Sequence, residues 1–135
     1  MSYKINEIEG IGPVYAEKLN AANINTTEDL LAQCETPAGR KTVAETTGLK
    51  TTVLLKWANR ADLMRISGVG PQFSELLEMS GVDTVKELRH RNAENLSTKI
   101  AEVNAEKNLS NAAPSTATVD RWISQAKDMD PRISY

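Results

Sequence analysis

Apolar residues recur at helical spacing along most of the chain, and no stretch shows the sustained alternation of apolar and polar positions that a half-buried strand requires. After Pro13, the residues Val14, Tyr15, Leu19 and Ala22 share a face; after Pro71, Phe73, Leu76, Leu77 and Ser80 do the same. Each proline follows a glycine and falls in a helix's first turn, where its missing N–H breaks no bond. These helices stop at Asn23 and Gly81, the residues most tolerant of a left-handed cap. Thr26 and Thr84 are the next N-cap candidates, with Asp29 and Glu87 placed to complete a capping box. The short helices they open carry Leu30 and Leu31, or Val85 and Leu88. After a turn at Thr36-Pro37-Ala38-Gly39, helices are predicted over residues 40–47 and 51–60, and later over 93–107 and 118–128. Val53, Leu54 and Trp57 are the buried face of one, Val119, Trp122, Ile123 and Ala126 of another. Short helices at residues 5–8 and 63–66, the second capped by Asp62, bring the prediction to about ten short helices in an all-α fold.

The two halves read alike. Ile8-Glu9-Gly10-Ile11-Gly12-Pro13 recurs 58 residues later as Ile66-Ser67-Gly68-Val69-Gly70-Pro71, and the register runs on without a gap to Leu30 and Leu88. Eight of the 24 positions from Ile8 and from Ile66 are identical. Trp57-Ala58-Asn59-Arg60-Ala61 then answers Trp122-Ile123-Ser124-Gln125-Ala126 at an offset of 65, so the second copy carries an insertion. It falls in residues 107–117, whose Asn, Ser, Ala and Pro content reads as a loop. A repeat of about 60 residues is expected, with units at 1–61 and 62–135.

Each unit places a Gly-x-Gly turn between two helices, the second started by proline. A turn that tight needs backbone conformations closed to other residues, and the helix after it begins with unpaired amides at the positive end of its dipole. Such an N-terminus accepts anions. The free amides are expected at Gly12, Val14 and Tyr15 in the first turn and at Gly70, Gln72 and Phe73 in the second.

Both segments resemble the helix-hairpin-helix motif, which reads hydrophobic-x-Gly-hydrophobic-Gly-Pro-x-x-small-x-x-Leu; Ile8 through Leu19 fits it, as does Ile66 through Leu77 with Ser74 as the small residue. The resemblance implies two tandem helix-hairpin-helix repeats, SAM-like helical bundles, whose hairpin amides contact a DNA phosphate from the minor-groove side without regard to sequence. Carried onto this chain, the contact set is Gly10, Ile11, Gly12, Val14 and Tyr15 with Lys18, and Gly68, Val69, Gly70, Gln72 and Phe73 with Arg65, Lys86, Arg89 and Arg91. Where DNA-binding members commonly have Lys or Arg after the proline, this chain has Val14 and Gln72, with Glu9, Glu17 and Glu75 nearby. The basic cluster of Lys86, Arg89, His90 and Arg91 gives the second copy the stronger expectation. Over nearly its full length the chain also resembles a family of bacterial proteins known as a domain of unknown function, in which the Ile-Glu-Gly-Ile-Gly-Pro and Ala-Asp-Leu-Met-Arg-Ile segments and the Trp-Ile-x-x-Ala-Lys segment recur.

Composition bounds what remains. With 16 basic and 18 acidic residues among 135, the net charge is −2, and the basic excess of a DNA-coating protein is missing. The balance holds in each half: seven basic and seven acidic residues up to Arg60, nine and eleven after it. Polyanion binding must therefore depend on local geometry. One cysteine, Cys34, and one histidine, His90, form neither a disulfide nor a zinc site, so no metal or cofactor is expected and a cytoplasmic setting is. No apolar run is long enough for a membrane span or a signal segment. No set of catalytic side chains assembles a reaction class or a small-molecule site, so an enzyme is not expected. Two readings follow: a non-catalytic accessory protein gripping duplex phosphates, or a helical scaffold that binds another protein or itself. Trp57 and Trp122, equivalent and flanked by apolar residues, are expected in the core of either.

Overall fold

The computed structural model describes residues 2–135, so the first residue of the predicted 1–61 unit lies outside the described residues. The chain is all-helical. A single 3-10 turn at Ile5–Glu7 leads to α1 (Pro13–Ala21), α2 (Thr27–Cys34), α3 (Pro37–Thr47) and α4 (Thr51–Leu63), followed by α5 (Pro71–Met79), α6 (Val85–Leu88), α7 (Ala93–Lys107) and α8 (Thr116–Lys127). Among the described residues there is no strand, only one isolated antiparallel bridge between Lys4 and Thr26.

Caps explain most of the boundaries. Gly12 and Gly70 are the N-caps before Pro13 and Pro71. Thr26 and Thr84 accept from the amides of Asp29 and Glu87, and at Thr26 the Asp29 carboxylate reaches back to complete the box. α3 and α7 close on left-handed Gly48 and Asn108.

Three expectations need correction. The segment Thr36-Pro37-Ala38-Gly39 is the start of α3 and no separate turn, because Thr36 Oγ1 accepts the Gly39 amide at 3.0 Å and Pro37 needs no acceptor. The predicted helix at 63–66 does not form as a new element: α4 runs on through Leu63. Asp62 caps nothing there; buried, it accepts from Arg65 and from the Val85 amide at the start of α6. Val14, read as part of the apolar face of α1, is 66% exposed, and it is Ala16 and Leu19 that are buried.

Apolar side chains gather in two clusters. One holds Ile8, Leu19, Leu30, Leu54 and Trp57; the other holds Leu63, Ile66, Leu77, Leu88 and Trp122. Each fully buried Leu or Ile stabilises the fold by about 1.5–3 kcal/mol relative to exposure. α4 packs its body against α2 in the first cluster and delivers Leu63 to the second, so it is the spine shared by both. No helix among the described residues is long and apolar enough to cross a membrane.

Candidate nucleic-acid interface

Both Gly-x-Gly turns adopt one backbone course. Gly10 has φ +95° and Gly68 φ +94°, a conformation that L side chains rarely adopt. A tryptophan closes over each: the indole Nε1 of Trp57 lies 3.7 Å from where a Cβ on Gly10 would stand, and that of Trp122 lies 3.2 Å from the same point on Gly68. Tyr15 leans on Trp57 with ring centroids 5.4 Å apart, and Phe73 on Trp122 at 5.3 Å. Ile11 and Val69 are buried under the turns, their amides bonded to Ile8 and Ile66, so they anchor rather than contact.

The second glycines are different. Gly12 (φ −83°, ψ −175°) and Gly70 (φ −95°, ψ −166°) lie in extended backbone open to any residue. A Cβ on Gly12 would meet nothing within 4 Å; on Gly70 it would meet only the Tyr3 hydroxyl at 3.9 Å, an ordinary contact. Neither fold strain nor crowding calls for glycine here. Past them, the amides of Gly12, Val14 and Tyr15, and of Gly70, Gln72 and Phe73, have no acceptor among the described residues; the first intrahelical bonds are those of Ala16 to Gly12 and Ser74 to Gly70.

Two residues that sequence reasoning passed over hold the turns from behind. Arg60 Nη1 donates to the Glu9 carbonyl at 2.9 Å, while Gln125 Nε2 donates to the Ser67 carbonyl at 3.2 Å and its Oε1 accepts the Ser67 amide at 2.9 Å. Both lie three residues after the repeated tryptophan, and that shared spacing was the signal available.

Electrostatic surroundings separate the turns. Arg60 is 5% exposed and its Nε also donates to Glu78 of α5 at 2.7 Å, where Lys56 approaches to 3.9 Å. Glu75 stands in the same neighbourhood: burial raises its carboxyl above the usual range, Arg60 opposes this, and Glu9 and Glu78 push it further up. The first turn is thus flanked by Glu9 and Glu75, with Glu17 exposed on α1. On its other flank the exposed Lys18 and Lys50 line a groove of about 370 Å³ with Tyr15. The second turn opens into a groove of about 450 Å³ lined by Gly68, Gly70, Pro71, Gln72 and Phe73, with no charged side chain in its wall.

The arginines expected to supply charge are bonded elsewhere. Arg65 grips Asp62 at 2.6 and 2.9 Å and the Asp130 carbonyl at 3.1 Å. Arg89 donates to the carbonyls of Ala126 and Met129 at the end of α8. Arg91 reaches the Gly81 and Ser80 carbonyls at the end of α5, with Glu87 at 3.9 Å. The last two neutralise helix C-termini, where cations are favoured. Lys86 and Lys18 are exposed and form no ion pair among the described residues. No group of three or more His, Cys, Asp or Glu side chains among the described residues could hold a metal ion.

Helices packed as two apolar clusters around one spine, with unpaired amides at two glycine turns, define an all-helical protein. The chain belongs to the family described as Domain of unknown function (DUF4332), whose model matches residues 9–129. No curated protein and no solved structure matches it.

Proposed function

We propose that the chain is a tandem helix-hairpin-helix protein that binds nucleic acid without catalysis or sequence preference, holding backbone phosphates on the amides of its two glycine turns. The observation that carries this reading is the pair Gly12 and Gly70. Ser, Thr, Asp or Asn would cap a helix at least as well as glycine, and the backbone there tolerates any of them. What glycine adds is a bare approach to three unpaired amides, which a phosphate oxygen needs. Phosphate contacts of this kind position a duplex without reading its bases.

With Arg65, Arg89 and Arg91 held in the fold, Lys18 and Lys50 are the free cations in the groove beside the first turn, and the groove of the second turn has no charged side chain among the described residues of its wall. Binding is accordingly weak. Lys18 and Lys50, each neutralising one phosphate, give a slope of about −2 in log K against log salt. The test titrates a fluorescent duplex at several salt concentrations with wild type, Gly12→Ala and Gly70→Ala. Both variants are expected to stay within about 1 kcal/mol of wild-type stability while losing several-fold in affinity. Absence of binding at tens of micromolar protein in low salt, or binding indifferent to both substitutions, removes the proposal.

A second reading, a scaffold that binds a protein or itself, is favoured by one feature: Val14 and Tyr15, 66% and 43% exposed, put apolar surface at the tip of the first turn. Mass measured across a concentration series separates the two, since strict monomers that bind duplex exclude self-association as the function.

A further inference from the structure

Residues 130–135 leave the second half and cross onto the first, against α2 and α3. Arg132 Nε donates to Glu35 at 2.9 Å, and its Nη1 to both oxygens of Glu28 at 2.8 and 3.0 Å. Ile133 is buried in the first apolar cluster. The Ser134 amide donates to the Glu35 carbonyl at 2.8 Å. Arg40, buried on α3, donates through Nη1 to the Cys34 carbonyl at 2.9 Å and through Nη2 to the Ser134 carbonyl at 2.6 Å. At the near end, the Asp130 carbonyl accepts from Arg65. Cys34 adjoins this seat: its carbonyl shares the Arg40 guanidinium with the Ser134 carbonyl, its side chain is fully buried in the same apolar cluster as Ile133, and burial pushes its thiol up to about 11.

We propose that residues 130–135 are a latch that opens as a unit ahead of global unfolding, uncovering the seat around Cys34. One main-chain hydrogen bond joins the segment to the first half, and one apolar side chain anchors it. Pro131 offers no N–H to extend the ladder. The remaining grip is guanidinium to carboxylate and carbonyl, with one exposed bond from the Ser134 hydroxyl to the Glu35 carbonyl at 3.3 Å. Arg132, Glu28 and Glu35 are only partly covered, so their pairing is weakened by salt. α2 and α4, by contrast, hold continuous helical bonding and bury much of the first cluster. Segments with few buried contacts and solvent-facing bonds are those that open locally, at free energies well below the global value.

Cys34 is the chain's single cysteine, so the rate at which a thiol-specific reagent labels the native protein reads the opening. The expected rate depends on urea with a slope far below that of global unfolding, because little surface is exposed, and it rises with salt. Arg132→Gln accelerates labelling about tenfold. Ile133→Ala acts in the same direction, and Lys127→Gln, at an exposed side chain without an ion pair, leaves the rate unchanged. A urea slope equal to that of global unfolding overturns the latch, as does a rate unmoved by Arg132→Gln in a variant whose helical circular dichroism matches wild type.

Discussion

The two glycine turns share a backbone and an aromatic cover and differ in the charge that surrounds them. Gly10 and Gly68 differ by 1° in φ, and an indole covers each. Behind the first stands Arg60, a buried cation that also ties α4 to Glu78 of α5; behind the second stands Gln125, neutral and half-buried. The turn's shape is therefore set by glycine and tryptophan, and its electrostatics by a separate layer of side chains. One layer can differ while the other is the same, so two segments of like sequence can hold one turn shape in different electrostatic surroundings.

The strongest way to break the likeness is to remove the clamps. Arg60→Met leaves Glu78 with only Lys56 at 3.9 Å and the Glu9 carbonyl without its donor. Removing one partner of a buried pair costs about 3 kcal/mol or more, here reduced because Glu78 is partly exposed. About 2–3 kcal/mol is expected. Gln125→Met breaks two neutral bonds at a partly exposed site and costs about 1 kcal/mol. Urea midpoints of the two variants check the order; equal losses would mean that Arg60 acts only as Gln125 does and that its link to α5 contributes nothing.

Next in size come the first glycines. Alanine at either takes on a positive φ that side chains avoid, at about 1–3 kcal/mol. Gly68→Ala is expected at the upper end, since its Cβ would stand 3.2 Å from the Trp122 indole, and Gly10→Ala at the lower, where the gap is 3.7 Å. Thermal midpoints read the difference. The reverse order would place the strain in the chain course and not in the indole contact.

Much of this is legible in the sequence. Periodicity and caps located α1, α2, α5, α6 and α7 because those signals are local: a threonine followed by an acid, a glycine before a proline. The turn glycines were legible too, though not the division of labour within them, since only the folded backbone distinguishes the positive φ of Gly10 from the open, extended Gly12. The arginines' bonding partners were not legible, for a physical reason. A long side chain's partner is set by the tertiary fold, and Arg65, Arg89 and Arg91 meet carbonyl acceptors at sequence separations of 65, 40 and 11 residues. Asp62 misled in the same way, looking like a local cap while its carboxylate serves an amide 23 residues on. Val14 failed because a face assigned from spacing alone takes no account of where the neighbouring helices end.

The smallest expected difference lies in the caps of α2 and α6. Asp29 accepts from the amides of Asn25 and Thr26 at 3.0 and 3.1 Å, whereas Glu87 reaches only the Asp83 amide at 3.4 Å. The Asn25 amide above all holds the Asp29 carboxyl below its ordinary value of about 3.8; slight burial opposes it, and the Thr26 hydroxyl and amide add to the lowering. A carboxyl whose folded pKa is depressed contributes stability that is full above its unfolded value and is lost as pH falls through the folded one. Asp29→Ala is therefore expected to lose about 1 kcal/mol or less near neutral pH, with the gap to wild type closing below about pH 4. Glu87→Ala, lacking the reciprocal bond, is expected to lose no more than about 0.5 kcal/mol. Urea unfolding at neutral and acid pH measures both, and a Glu87 loss as large as that of Asp29 would mean that the two caps, like the two turn backbones, have stayed equivalent.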